Sequence, residues 1–337
     1  MQNSETSISD ILNDDSKNLN HVFSTIPPNE NDDSNETTND LKDSEYYTET
    51  ELTDFLKNKK ISDRTHLKLL TLNIANLLSK QRSLKLLVEN ISNEANRPNI
   101  IAITETHLNE SRNQGYSDSE LKGLLPGYQF FHKDRKTMKG GGVGVFVENR
   151  LADDAKIETG DFFMEEIFEG IVLKIPNFPL KSGKKNLIIL TVYRQPSKPG
   201  ELGKNNLKKF LETMERWLEK YDRRGNEIIV TGDLNLDLLK YDTHPPTSEY
   251  LDLMVSYGLL PAITRPTRIK HASATLIDHI FSKLTCMNSG ILVSELAGSH
   301  GYTDHYPIFS IIEIGKQAVN KRNTMTSRYF TTSGHRA

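Results

Sequence analysis

Short apolar runs alternate with amphipathic segments from residue 66 onward, whereas the first 65 residues show no such pattern. Apolar runs that are rich in β-branched residues and bounded by turn formers predict strands. No segment repeats at a fixed period, so the alternation is not that of a repeat array. The strands predicted in this way are residues 67–72, 100–104, 143–147, 168–175, 187–193, 228–231, 277–281 and 308–314.

Helical spacing of apolar residues predicts helices between these strands. The longest spans residues 207–221 and is followed by Gly225, a common stop signal. Shorter helices are predicted at 83–91 and at 248–257, the second capped by Ser248. The mixture indicates an α/β fold. Two sheets packed face to face with helices outside would account for it, although periodicity alone does not fix that arrangement.

Charge divides the chain unevenly. Residues 1–65 carry fifteen Asp and Glu against six Lys and Arg, a net charge of −9, and the whole chain carries −3, so residues 66–337 carry +6. The acidic segment has few aliphatic residues and is predicted to be disordered. Residues 66–314 are predicted to form one globular domain, followed by a basic polar tail at 315–337.

The basic body suits a polyanionic partner, although solubilising surface charge explains the same excess. The single cysteine, Cys286, permits no internal disulfide and no thiolate metal site, which predicts a reducing compartment. The longest apolar runs are strand length rather than membrane-spanning length. We therefore expect a soluble protein with no membrane partner and no covalent cofactor, and the sequence leaves the oligomeric state open.

Acids and amides follow several predicted strands. Asp233 and Asn235 follow one apolar strand, Glu105 follows a second and Asn73 a third. Strand ends are rigid mounts for a site, and in an extended segment the side chains of Asp233 and Asn235 would share one face. An Asx-type turn is the alternative for that pair. Taken together, these hard oxygen ligands suit Mg²⁺.

A possible acid–imidazole pair lies near the end of the predicted domain. Asp304 and His305 precede the last predicted strand, and Asp278 lies at the start of another apolar run. A carboxylate beside an imidazole holds it in one tautomer and favours its charged form. A lone His is usually a packing or surface residue, so His305 becomes a candidate only because Asp278 is available to pair with it.

Ordered motifs across residues 66–314 make this chain resemble the endonuclease/exonuclease/phosphatase superfamily, and more closely the endonuclease domains of non-LTR, LINE-type retrotransposons such as the jockey-like group. Each motif alone is a weak signal, but their order and spacing are specific. The segments that carry the resemblance are LTLN ending at Asn73, TETHL around Glu105, PGYQFFHKDRKTMKGGGVGVFV, TVYRQP around Tyr193, GDLNLD around Asp233, SEYLDLMVSYGLLPAITRPTR, ATLIDHIF around Asp278 and TDHYP around His305.

The resemblance implies a DNase I-like, four-layer α/β/β/α sandwich with the site at one rim. By the same analogy Glu105 and Asn73 bind Mg²⁺, for which Mn²⁺ could substitute. Asp304 would assist the metal or the leaving group. Ala75 stands where relatives commonly carry Arg, which puts one backbone contact in doubt.

The resemblance also implies roles in hydrolysis. Asp233 would deprotonate the attacking water and Asn235 would position it, while Tyr193 would hydrogen-bond the scissile phosphate. His305, oriented by Asp278, would stabilise the transition state. Physical chemistry makes this assignment reasonable, because phosphodiester hydrolysis needs an activated water and charge stabilisation on the other oxygens.

The substrate implied is DNA, nicked to leave a 3′-hydroxyl and a 5′-phosphate, which places the protein in the nucleus. A reverse transcriptase would follow in related polyproteins, and we expect an endonuclease without one here. Arg265 and Arg268 are expected to hold DNA phosphates beside the rim, although an ordinary surface turn accounts for them equally well. Thr303 stands where Ser is more usual and keeps the hydroxyl.

Two alternatives to DNA nicking stay open. Enzymes of this fold also act on RNA, abasic DNA and lipid phosphates, and an inactive nucleic-acid-binding remnant would keep the fold. Filled catalytic positions argue against a remnant. The glycine run at 140–142 precedes a strand and is interpreted as a tight turn rather than a nucleotide loop. His107, His132 and His279 are placed outside the site.

Overall fold

Two β-sheets face each other in the computed structural model, which describes residues 17–20, 43–91, 97–109, 120–121, 123–136, 139–158, 162–270, 273–284, 286–294 and 303–315. The strands in chain order are β1 (Glu45–Thr48), β2 (His66–Asn73), β3 (Ile100–Thr104), β4 (Tyr128–Lys133), β5 (Val143–Glu148), β6 (Lys156–Ile157), β7 (Phe163–Met164), β8 (Phe168–Leu180), β9 (Gly183–Arg194), β10 (Asn226–Asp233), β11 (Leu260–Pro261), β12 (Arg268–Lys270), β13 (Ser273–Thr275), β14 (Asp278–Ser282), β15 (Cys286–Val293) and β16 (Ile308–Glu313).

The first sheet has the strand order β1-β15-β16-β2-β3-β5-β4, and the second has the order β11-β14-β10-β9-β8-β6 with β7 beside β8. Strands β12 and β13 form a separate two-stranded sheet. At the centre of the first sheet β2 and β3 run parallel, and in the second sheet β9 and β10 run parallel. Because side by side parallel strands end at the same edge, the residues that follow them meet there.

Helices cover the outer faces of the sheets. They are α1 (Glu49–Asn58), α2 (Leu77–Asn90), α3 (Asn149–Ala152), α4 (Gly200–Tyr221) and α5 (Pro245–Ser256). Thr48 and Glu51 form a reciprocal capping box that starts α1. Helix α4 buries one stripe, including Phe210, Met214 and Trp217, on the second sheet.

Two hydrophobic cores separate these layers. One core fills the space between the sheets and continues to α4 and α5, and it includes Leu69, Val145, Leu190 and Phe210. The other core packs α1 and α2 on the outer face of the first sheet. The four-layer α/β/β/α arrangement predicted from the sequence is therefore confirmed. No helix in the described part of the chain is long and apolar enough to span a bilayer.

The predicted strands are confirmed with end shifts of a few residues, but three parts of the prediction are wrong. Residues 43–65, predicted to be disordered, contain β1 and α1. Ser248 does not cap its helix, because α5 begins at Pro245 after His244 and the Ser248 hydroxyl donates to the Tyr241 carbonyl. Strands β4 and β15 and the short strands β6, β7, β11, β12 and β13 were not predicted. The tail at 316–337 and residues 1–16 and 21–42 lie outside the described residues.

Candidate active site

The two sheets meet at one rim, where Asn73, Glu105 and Asp233 lie at or just after the ends of strands. In the first sheet, Asn73 pairs with Thr104 in register, so Glu105 emerges beside Asn73. In the second sheet, Asp233 lies between Tyr193 on β9 and Asp278 on β14. A hydrogen bond of 2.7 Å between the hydroxyls of Thr71 and Thr231 joins the sheets two residues below Asn73 and Asp233. This link brings the two strand ends together.

Asn73 connects the carboxylates of the two sheets. Its Nδ2 donates to Glu105 Oε1 at 2.8 Å and to Asp233 Oδ2 at 2.9 Å. We call Asn73, Glu105 and Asp233 the carboxylate–amide group. One amide nitrogen thus lies between two acidic oxygens, in a place where a cation would also be held. The carboxylates of Glu105 and Asp233 are hard oxygen ligands that suit a divalent cation such as Mg²⁺, whereas the Asn73 Oδ1 accepts from the Ala75 amide at 3.1 Å.

Glu105 is kept ionised despite its burial. Burial alone raises the pKa of Glu105, but hydrogen bonds from His107 and Asn73 and the charge of His107 outweigh it, so the pKa lies below its ordinary value. His107 Nε2 lies 3.3 Å from Glu105 Oε2. The prediction that placed His107 outside the site is therefore wrong. Glu105 and His107 both have positive φ, at 54° and 56°, a conformation that non-glycine residues adopt rarely.

Asp278 and His305 form the predicted pair. His305 Nδ1 lies 2.9 Å and 3.1 Å from the two carboxylate oxygens of Asp278. The hydroxyl of Thr267 donates to Asp278 Oδ2 at 2.8 Å and accepts from the Asp278 amide at 3.1 Å. We call Thr267, Asp278 and His305 the imidazole group. Sequence reasoning did not find Thr267, because nothing local to it signals a partner eleven residues away.

Neighbouring carboxylates keep His305 protonated. Burial alone lowers the pKa of His305, but the carboxylates of Asp278 and Asp233 and the hydrogen bond from Nδ1 to Asp278 more than offset it and raise the pKa to about 9. With Nδ1 committed to Asp278, Nε2 of the charged ring is the remaining proton donor, and it lies 3.9 Å from Asp304 Oδ1.

Asp233 has the properties of a general base. Burial raises its pKa from the ordinary value, a shift that the charge of His305 and the hydrogen bond from Asn73 reduce without reversing. Ligand atoms of Asp233, Asp278 and His305 lie within 4.8 Å of one another, so this trio is also a possible metal cluster. A protonated imidazole is a poor ligand, however, and the carboxylate–amide group is the better fit for a metal.

Asn235 reaches the rim by a turn rather than by an extended strand, so the predicted geometry of this pair is wrong. Strand β10 ends at Asp233, the Asn235 backbone has φ 48°, and its amide donates to Asp233 Oδ1 at 3.1 Å. This is the Asx-type turn that the sequence had left as the alternative. The Asn235 Nδ2 donates to the Arg194 carbonyl at 2.8 Å, which fixes the side chain beside the site.

Tyr193 is supported by a buried ion pair that the sequence did not reveal. Glu169 lies opposite Tyr193 in the β8–β9 register, and it accepts hydrogen bonds from the Arg135 guanidinium and from the Gly142 amide. The guanidinium carbon of Arg135 lies 5.9 Å from the centre of the Tyr193 ring. Burial raises the pKa of Tyr193, with the carboxylates of Glu105 and Asp233 acting in the same direction, so its hydroxyl stays a donor.

The glycine run at 140–142 makes room for this ion pair. A Cβ on Gly141 would lie 2.2 Å from the Arg135 guanidinium, and one on Gly142 would lie 2.3 Å from the Thr106 hydroxyl. The carbonyl of Gly141 accepts from the His107 amide at 2.8 Å. The run is thus a tight turn into β5, as predicted, and it also supports the segment that carries Glu105 and His107.

Asp304 and Arg268 are paired with each other. Arg268 Nη2 lies 2.7 Å from Asp304 Oδ2, and Lys270 Nζ lies 3.8 Å from the same oxygen. Asp304 Oδ1 lies 3.9 Å from His305 Nε2. The structure therefore places Asp304 on the imidazole side of the rim, and no contact found among the described residues joins it to Asn73 or Glu105.

The remaining predicted residues lie around this pair. The Thr303 hydroxyl accepts from the His305 amide at 3.2 Å, which shapes the turn before the imidazole. Arg265 is half-buried in the loop that precedes Arg268 and lies close enough to Tyr46 for its charge to lower that phenol's pKa, against the larger effect of burial.

Similar folds occur among solved structures. The AP endonuclease of Leishmania major has a TM-score of 0.59 at 14% identity, over 76% of this chain and 90% of that chain. The AP endonuclease of Archaeoglobus fulgidus gives 0.53 at 16%, over 73% and 99%. A Neisseria 3′ phosphatase bound to a product DNA hairpin gives 0.52 at 13%, over 72% and 98%. At these identities the likeness shows the fold.

The sequence itself matches a family. No curated protein gives a significant match to the chain. The sequence model of the Endonuclease/Exonuclease/phosphatase family matches residues 70–305, a span that contains Asn73, Glu105, Asp233 and the Asp278–His305 pair. The chain therefore belongs to the endonuclease/exonuclease/phosphatase family.

Proposed function

We propose that this protein is a Mg²⁺-dependent endonuclease of the retrotransposon type, which nicks DNA to leave a 3′-hydroxyl and a 5′-phosphate. Its family implies a hydrolase that acts on phosphate esters. The observation that carries the proposal is the meeting of two different groups at one rim. Asn73 bridges Glu105 and Asp233, and Asp278 holds His305 beside them.

Each group has a chemical task in this proposal. Asp233, with a raised pKa, accepts a proton from the attacking water, and Asn235 limits where that water can lie. His305 donates from Nε2 to a phosphate oxygen as negative charge develops there, and Tyr193 donates its hydroxyl to the same phosphate. A divalent cation held by Glu105 and Asn73 would supply Lewis-acid stabilisation of the leaving oxygen.

Three features favour DNA as the substrate. The retrotransposon-like motifs span the whole matched region. Residues 66–337 carry a net charge of +6, which attracts a polyanion. Arg268 and Lys270 both approach Asp304 beside the rim, and Arg265 lies three residues before Arg268 in the same loop, so all three are candidates to contact a DNA backbone. A nuclear location follows from such a substrate, and stable exclusion of a fluorescently tagged full chain from nuclei would contradict it.

Nicking of supercoiled plasmid by the full chain tests the proposal. Open-circle product should form with Mg²⁺, disappear with EDTA and disappear in Asp233→Asn. Asp154→Asn is the matched control, because Asp154 is an exposed carboxylate in a turn after α3. End-labelling should find a phosphate at the 5′ side of the nick and a hydroxyl at the 3′ side.

The same assay distinguishes other substrates of the family. Parallel reactions would contain duplex with one abasic site, duplex with a 3′-phosphate end, single-stranded RNA and a phosphoinositide. Cleavage of one of these without nicking of intact plasmid would replace DNA nicking as the function. Binding of DNA with no hydrolysis of any substrate by the folded protein would indicate an inactive remnant.

A further inference from the structure

The loop of residues 262–268 supplies two residues to the rim. Thr267 bonds Asp278, and Arg268 pairs with Asp304. The loop connects β11 to β12, and its backbone also meets the segment that carries His305. The Tyr306 amide donates to the Thr267 carbonyl at 2.7 Å, and the Ile269 amide donates to the Asp304 carbonyl at 3.3 Å. The hydrogen bonds of Thr267 therefore reach Asp278 directly and reach His305 through the backbone of the next residue, Tyr306.

A segment from the other end of the chain holds this loop from behind. The Leu19 amide donates to the Thr264 carbonyl at 2.8 Å, and the Leu19 side chain is fully buried in the core between the sheets. We call Leu19, Ser44 and Tyr46 the N-terminal brace.

Ser44 and Thr264 bond each other twice. The Ser44 amide donates to the Thr264 hydroxyl at 3.0 Å, and the Thr264 amide donates to the Ser44 hydroxyl at 3.0 Å. The Ser44 hydroxyl also lies 3.2 Å from the Ala262 carbonyl. Both residues are buried, so these bonds are not exchanged for water without cost.

Tyr46 reaches the loop closest to the site. Its hydroxyl donates to the Pro266 carbonyl at 2.9 Å, one residue before Thr267. The next residue, Tyr47, points to the other side of the strand, where its hydroxyl accepts from Asn288 Nδ2 at 2.9 Å and donates to Glu45 at 2.7 Å. Alternation along β1 thus gives one tyrosine to the loop and one to the outer core.

The brace is anchored in the first sheet. Strand β1 pairs in parallel with β15 from Glu45 to Thr48, and α1 then packs on the outer face of the sheet. The loop instead follows β11, which pairs with β14 in the second sheet. The brace therefore ties the imidazole group to the first sheet over a sequence separation of about 220 residues.

We propose that the N-terminal brace is a positioning element of the active site, which holds the 262–268 loop so that Thr267 fixes Asp278 and His305 in their working geometry. The brace lies outside residues 70–305, the span that the family model matches. This proposal rests on the proposed function in one respect: its kinetic test measures plasmid nicking. According to the proposal, Leu19, Ser44 and Tyr46 affect the His305 imidazole measurably although none of them contacts it.

A pair of tyrosine variants in the full chain tests the proposal. Tyr46→Phe removes the bond to Pro266, and Tyr47→Phe is its matched control on the same strand. We expect Tyr46→Phe to lower kcat for plasmid nicking about fivefold with KM within about twofold, and Tyr47→Phe to leave both unchanged within about twofold. At one fixed pH, the NMR signal of the His305 Nδ1 proton should move in Tyr46→Phe and stay in place in Tyr47→Phe.

Ser44→Ala extends the test to the second contact, with a larger expected loss in kcat because it leaves the buried Thr264 amide without its partner. The NMR measurement requires no catalytic turnover, so it still tests the role of the brace if the protein does not nick plasmid DNA. The proposal is overturned if both tyrosine variants behave alike. It is also overturned if Tyr46→Phe lowers only the melting temperature and leaves kcat and the Nδ1 signal unchanged.

Discussion

The carboxylate–amide group and the imidazole group are built in different ways. Asn73, Glu105 and Asp233 each come at or immediately after the end of a central strand, and the paired strands themselves set their spacing. Asp278 also lies on a strand, but His305 lies in a turn and depends on Thr267 from a separate loop. The first group should therefore respond mainly to changes in its own side chains, and the second also to changes far away.

The largest expected effect is in the carboxylate–amide group. Asp233→Asn should lower kcat by on the order of 10³, because the amide cannot accept a proton from water. The melting temperature should not fall, since burial disfavours the ionised carboxylate that the variant removes. Stopped-time nicking assays and calorimetry measure both. A variant that keeps wild-type kcat would show that Asp233 is not the base.

In the imidazole group, Asp278→Asn should lower kcat by on the order of 10². The Asp278 carboxylate makes the largest contribution among the charges that, against burial, raise the pKa of His305 to about 9, so its loss should move the alkaline limb of the pH–rate profile toward the ordinary value of about 6.5. Asp304→Asn is the comparison variant and should move that limb less. An alkaline limb that stays near its wild-type position in Asp278→Asn would contradict the assignment.

The same pair makes stability depend on pH. A folded-state pKa above the unfolded value means that protonated His305 stabilises the fold fully below about pH 6.5. That contribution is lost as the pH rises through about 9. Denaturant titrations between these values should show a loss of stability in the wild type that Asp278→Asn reduces. Equal pH dependence in the two proteins would mean that Asp278 does not shift the His305 pKa.

Thr267→Val separates support from chemistry in the imidazole group. The variant removes the donor to Asp278 and leaves the amides of Ile277 and Asp278 without their acceptor. We expect about a tenfold loss in kcat and a loss of about 1–3 kcal/mol in unfolding free energy. Thr267→Ser, which keeps the hydroxyl, should restore most of both. A Ser variant as impaired as the Val variant would contradict the assignment of the effect to the hydroxyl.

The smallest effect is expected for His107, which supports Glu105 in the carboxylate–amide group. His107→Ala removes the side chain that orients Glu105 and lowers its pKa, so the Mg²⁺ concentration for half-maximal nicking should rise about three- to tenfold. His132→Ala is the control, since His132 bonds Asp134 instead. Unchanged metal dependence in His107→Ala would mean that the strand ends alone hold Glu105.

The carboxylate–amide group was easier to predict from the sequence because its residues directly follow apolar strands. The Asp233–Asn235 geometry still failed, since a two-residue spacing fits both a strand and an Asx turn. Thr267 and the Arg135–Glu169 pair could not be found, because their partners lie 11 and 34 residues away and no local pattern records such contacts.

The N-terminal error had a different cause. Averaging charge over 65 residues hid a short structured part, in which Thr48 and Glu51 form a capping box and Leu52 and Leu56 form an apolar stripe. Strands β4 and β15 were missed because each mixes apolar with polar residues and gives no continuous run. The spacing of Leu52 and Leu56 signals the helix locally, but the parallel pairing of β1 with β15 joins residues 245 positions apart.

The crowding at Gly141 constrains the order in which this sequence can change during evolution. While Arg135 is present, even alanine at position 141 meets its guanidinium, and the positive φ of 64° adds a second penalty. A lineage that first replaced Arg135 would relieve the collision but would leave the buried Glu169 carboxylate without its cation, and the backbone penalty would remain. A lineage that began with Gly141 would have to displace the guanidinium that pairs with Glu169 and lies beside the Tyr193 ring.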